Sequence, residues 1–202
     1  YLSYSVRMKD NITLKLEKGS VLKAAKPVPG QGYDPAEPNQ WDMYQDFGHS
    51  HWKNSLIWGI GLRNLKFIGE GMIEGTDALS RGLGRQGPLN EANKAIALKE
   101  CTDVTIQGIS LLQCGHFALL LTGVDNLVID GVTCDTNRDA FDIDCCENVK
   151  ITNCKVNTLN DDAIVLKCSY GLGRPKPTRN VLVKNCAVSG YDPGTFIGGT
   201  YQ

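Results

Sequence analysis

Asn126-Leu127-Val128-Ile129 and, 22 residues on, Asn148-Val149-Lys150-Ile151 are the segments that decide the fold. Each sets a polar residue ahead of an apolar, any, apolar triplet, the alternation of a half-buried strand. The same pattern opens at Asn64, Asp103 and Asn180, with a fainter copy at Asn11. Five positions after the five clear starts stand Gly69, Gly108, Gly131, Asn153 and Asn185, residue types that accept the unusual backbone angles of a bend. Three positions further come Met72, Leu111, Cys134, Val156 and Val188, all apolar. A second strand precedes several of these segments. Ala95-Ile96-Ala97-Leu98, Ala118-Leu119-Leu120-Leu121, Ala140-Phe141-Asp142-Ile143 and Ala163-Ile164-Val165-Leu166 follow one another at 23, 22 and 23 residues, and Leu56-Ile57-Trp58 holds the same place before Asn64.

Short strands, bends at fixed phase and a period of 22 to 23 residues describe a coil that buries its inner face only by stacking on its neighbours. The expected fold is all-β, a single-stranded parallel β-helix, right-handed because parallel crossovers nearly always are. A two-layer sandwich is the competing reading, and agreement of five segments at four columns argues against it. Departures from the period mark insertions at about 25–54, 76–93 and 169–179. Loops of this length on a rigid solenoid shape a binding face or cover an edge. No linker-like stretch divides the chain, so one domain is expected over 1–202, and a monomer.

With 21 basic and 22 acidic side chains the formal net charge is -1, which offers nothing to nucleic acid or an anionic membrane. No run approaches the roughly 20 apolar residues of a membrane span. The eight cysteines lack paired C-x-x-C clusters, so no zinc site is expected. Disulfides and buried thiols both remain open, with Cys154/Cys186 and Cys145/Cys168 sharing phases.

The chemistry concentrates between Asn137 and Lys167, where five aspartates stand beside strand-like segments. Stacking makes residues of equal phase neighbours at ~4.8 Å. One column then reads Lys94, Phe117, Asp139, Asp162, and the column before it Asn93, His116, Arg138, Asp161. Asp139, Asp161 and Asp162 gather on one patch provided the chain bends at Leu159–Asp162. Like charges so close raise at least one pKa, which suits general acid and base work. Asp144 and Lys167 share a third column with Lys99, read as ion-paired, and Asp142 is read as structural or supporting.

Asn137-Arg138-Asp139-Ala140-Phe141-Asp142, with Asp161-Asp162-Ala163-Ile164-Val165-Leu166 on the next coil, resembles glycoside hydrolase family 28, the polygalacturonases and rhamnogalacturonan hydrolases. That resemblance implies an inverting hydrolase of galacturonic-acid-containing polysaccharide, working without cofactor or metal. It implies Asp161 as general acid, and Asp139 and Asp162 as the pair that activates water. His116, Asn137, Arg138 and Lys167 become candidate substrate contacts, and a secreted or periplasmic location follows. Arg138 and Ala140 stand where the family has Thr and Gly. The family histidine is absent from Pro193-Gly194-Thr195, and the basic substrate-binding motif is not found before Gln202. The chain is thus expected to be a portion of a longer enzyme, truncated at both ends. A non-catalytic carbohydrate-binding solenoid and a calcium-dependent lyase are the alternatives. For His49, His51 and Trp52 two readings stand open, a sugar-stacking wall or packing against the solenoid.

Overall fold

The structure is a computed structural model that describes residues 1–44, 49–80, 90–190 and 197–201. Its strands form three parallel sheets, which together make a right-handed parallel β-helix. The sheet that carries the aspartates runs through Val6–Arg7, Ile57–Ile60, Lys94–Lys99, Phe117–Thr122, Asp139–Asp144, Ile164–Cys168 and Ile197–Tyr201. We call it the site sheet. The second holds the Asn-started strands, from Thr13–Leu16 through Arg63–Gly69, Thr102–Gln107, Asp125–Asp130 and Glu147–Thr152 to Arg179–Lys184. The third comprises seven shorter strands, from Leu2–Ser3 to Ala187–Ser189.

The repeat columns appear as ladders. Leu65, Val104, Leu127, Val149 and Val181 pair in register, as do Phe67, Ile106, Ile129, Ile151 and Val183. Their inward side chains fill the continuous apolar interior. The bend chemistry also holds. Asn64, Asp103, Asn126, Asn148 and Asn180 all adopt φ between 54° and 59°, a left-handed conformation that Asn and Asp tolerate better than other side chains. Stacked side-chain amides reinforce this corner: Asn64 donates to Asn11 at 3.0 Å, Asn126 to Asp103 at 2.9 Å, Asn148 to Asn126 at 3.2 Å and Asn180 to Asn148 at 3.0 Å.

Long excursions leave the frame between Ala24 and Ile57, between Glu74 and Lys94, and between Cys168 and Arg179. Part of the second, residues 81–89, lies outside the described residues. All eight cysteines are free thiols, six of them buried. Burial raises the thiol pKa of Cys101, Cys114, Cys134, Cys145, Cys146 and Cys154, so these are apolar filling rather than nucleophiles. No helix among the described residues is long and apolar enough to cross a membrane.

Candidate active site

The register of the site sheet assembles the predicted columns. Lys94, Phe117 and Asp139 pair directly. The amide of Ala140 donates to the carbonyl of Asp162 at 3.0 Å, which seats Asp162 on Asp139. In the neighbouring column Arg138 bridges its two neighbours: Nε donates to Oδ2 of Asp161 at 2.8 Å, and a terminal nitrogen lies 3.2 Å from Nδ1 of His116. The bend that lets Asp161 and Asp162 serve one site is present. The hydroxyl of Thr158 donates to the carbonyl of Asp161 at 2.5 Å, and the amide of Asp162 to Oδ1 of Asp161 at 3.1 Å. Asn160 ties the turn down by donating to the carbonyl of Asn137 at 3.0 Å.

The carboxylates differ in depth. The Asp161 side chain is 36% exposed, that of Asp139 4% and that of Asp142 0%. Burial, helped by the charges of Asp161 and Asp142 and opposed by Lys167, pushes the Asp139 carboxyl up to about 7. Its Oδ1 has no hydrogen-bond partner among the described residues. Asp142 goes the other way. Burial works to raise it, but the Lys167 ammonium at 2.7 Å and the His49 imidazole at 3.1 Å outweigh that and hold it at about 2. An ionised carboxylate, paired with Lys167 and His49, thus sits beside one that keeps its proton near neutrality.

Several expectations change. Lys167 shares a column with Asp144, yet it bonds to Asp142; residues two apart on a strand face the same way, and Asp142 lies within diagonal reach. Asp144 is instead satisfied by the amide of Ser169 at 2.8 Å and by its hydroxyl. Burial still raises the Asp144 pKa. His116, expected to face substrate, is fully buried against Phe117, and burial with the Arg138 charge lowers it to about 2. It is an uncharged support for Arg138. The imidazole at the carboxylates is that of His49, delivered by the first insertion, with Nε2 also touching Nζ of Lys167. Sequence reasoning gave His49 no such place, because loop residues carry no register. The run of His49, His51 and Trp52 just before the strand resumes was the available signal.

Trp52 does not form a sugar wall. It is fully buried on Ala97, Phe117 and Leu120, with its indole N–H donating to Thr122 at 3.2 Å and Lys99 Nζ 4.4 Å from its ring centroid. His51 is buried and bound to the Glu37 carbonyl at 2.7 Å and to Asp42 at 3.1 Å. The segment Pro193-Gly194-Thr195, where a histidine was sought, lies outside the described residues.

His49, Asp139 and Asp142 bring one ligand atom each within 4.8 Å of one another, a spacing compatible with a metal ion. Nζ of Lys167 already places a positive charge 2.7 Å from Oδ2 of Asp142, so the protein supplies the cation there itself.

The chain is thus a parallel β-helix with carboxylates clustered where two adjacent strands of one sheet begin, and comparison with known proteins gives its family. The glycosyl hydrolases family 28 model matches residues 14–197, and the chain belongs to that family. Among solved structures it is similar to a putative glycosyl hydrolase from Parabacteroides merdae (21% identity, 92% of this chain and 78% of that one, TM-score 0.62). It is also similar to a polygalacturonase from Erwinia carotovora (16% identity, 100% and 57%, TM-score 0.72) and a family 28 exopolygalacturonase from Yersinia enterocolitica (17%, 100% and 44%, TM-score 0.69). The chain therefore spans about half the length of these last two. No curated protein matches it.

Proposed function

We propose that the chain carries the catalytic coils of an inverting glycoside hydrolase that cuts galacturonic-acid-containing polysaccharide or oligosaccharide. The observation that carries this reading is the corner where Asp139 stacks under Asp162 while Asp161 sits half-exposed beside Arg138. Asp161 is the group that a leaving glycosidic oxygen reaches first, and it acts as general acid. Asp139 and Asp162 activate the attacking water on the opposite face of the sugar, the arrangement that inverts the anomeric centre. Arg138 and Lys167 offer positive charge to a uronate carboxylate, a bidentate partner for the guanidinium. The Asn137 side-chain oxygen is buried and without a partner among the described residues, an unused acceptor next to Arg138 that a sugar hydroxyl would reach only if the corner opens. A pectic substrate implies a protein that works outside the cytoplasm.

The test is reducing-end release from polygalacturonate and from rhamnogalacturonan, with and without chelator. Hydrolysis unaffected by chelator is expected, with Asp161→Asn lowering kcat by roughly 10²–10⁴-fold while the fold persists. Retained turnover in Asp161→Asn overturns the acid assignment. An unsaturated product lost on chelation points to a calcium-dependent lyase, and binding of pectic sugar without any release to a non-catalytic solenoid.

A further inference from the structure

A polymer that passes through a cleft needs a way out on both sides of the reacting bond. On the site sheet two directions are available, across the stacked coils and along the strands. Both are obstructed beside the carboxylates. Across the coils, the outward-facing Ala97, Phe117 and Leu120 lie fully buried beneath Trp52, and His49 stands at the edge of Asp139 with its ring 4.7 Å from that of Phe117. Along the strands, Thr122 is buried where it accepts the indole N–H of Trp52, and Asp144 is buried where Ser169, at the start of the third insertion, bonds to it.

The two obstructions are one structure. Nδ2 of Asn39 donates to the carbonyl of Ser50 at 3.0 Å and to that of Gly171 at 3.2 Å, binding the first insertion to the third. Trp41 meets Tyr170 edge-on at 5.2 Å. Gly173 lies so close beneath Trp41 that a Cβ would fall 1.9 Å from Nε1, which fixes a glycine there. Glu37 anchors the far side through the amides of Trp52 and Lys53, both at 3.0 Å. Among the described residues the approach that stays open is the corner of Leu159 to Asp162, where Leu159 is exposed and Asp161 half-exposed.

We propose that the joined insertions make the site a closed-ended pocket, which receives one end of an acidic saccharide chain and leads to removal of terminal units. This rests on the hydrolase reading above. The test uses the full chain carrying Asp161→Asn, so that binding is measured without turnover, and titrates it calorimetrically with galacturonate oligomers carrying a bulky cap at the reducing end, at the non-reducing end, or at both. A closed end predicts that one single cap weakens binding by about 50-fold or more while the other changes it by less than about threefold. A doubly capped oligomer that binds like the uncapped one overturns the proposal and leaves the hydrolase reading intact. Absence of binding by every oligomer overturns both. Digestion by the parent protein gives a second readout: only mono- or dimeric product at early times supports the closed end, and a broad ladder of oligomers refutes it.

Discussion

Asp139→Asn is the substitution whose effect follows most directly from the site. The carboxyl is buried and held at about 7 against an ordinary 3.8. In the unfolded chain it ionises above 3.8, while in the folded protein it stays protonated until the pH nears 7. The unfolded state then binds fewer protons through that window, so this group removes stability as pH rises from about 4 to about 7 and no more above it. At 1.36 kcal/mol per pKa unit the ceiling is roughly 4 kcal/mol, and relaxation around the site makes roughly 2 to 4 the expected range. Asparagine has the same shape and no charge to desolvate. Urea unfolding should therefore show the variant equal to the parent near pH 4 and more stable by that amount at pH 7.5, with hydrolysis lost. A difference that does not grow with pH, or a variant less stable at pH 7.5, refutes the reading of Asp139 as a strained carboxyl. The same titration bears on its role. If Asp139 serves as base, kcat/KM of the parent rises toward neutrality; a profile that instead falls between pH 5 and 7 assigns it the proton donor's part.

Lys167→Met leaves the fully buried Asp142 with His49 as its charged partner among the described residues, and a loss of roughly 3 kcal/mol is expected, the lower end for stranding a buried charge. The double variant Lys167→Met/Asp142→Asn should recover more than half of it in the same unfolding assay, and a single variant within about 0.5 kcal/mol of the parent would show that the pair carries no such load. Because Asp142 is held at about 2, its ionised form adds stability from about pH 4 upward, and that contribution fades as the pH falls toward 2. Trp52→Ala removes the side chain that seats the first insertion and should cost about 3–5 kcal/mol. It should also open residues 25–54 to limited proteolysis, and parent-like resistance would mean that Asn39 and Glu37 hold the insertion without it.

How much of this was legible in the sequence depended on whether a residue lay inside the repeat. Asn148 and Asn126, or Asp139 and Phe117, meet because parallel coils convert equal phase into contact, so counting residues was enough. The same count failed for Lys167. It predicts the residue directly opposite, whereas a long ammonium chooses between Asp142 and Asp144 on the same face, and Asp144 was already taken by Ser169. His49 was out of reach for a different reason. It lies in a loop whose course is set by a single large anchor, Trp52, and by hydrogen bonds to Glu37, Asp42 and Asn39, none of which follow a period. His116 was placed correctly in its column but given the wrong depth, since column position says nothing about what a neighbouring loop covers.

The asparagine ladder carries a consequence for how such a molecule can change over time. Asn64 and Asn11 are 53 residues apart in sequence, Asn148 and Asn126 only 22, and their amide contacts are 3.0 and 3.2 Å. The frame is indifferent to how much chain lies between rungs. A lineage can therefore lengthen, shorten or exchange the excursions that lie beside the carboxylates while every interior ladder keeps its partners. What the site receives and what keeps the chain folded are, in this architecture, inherited separately.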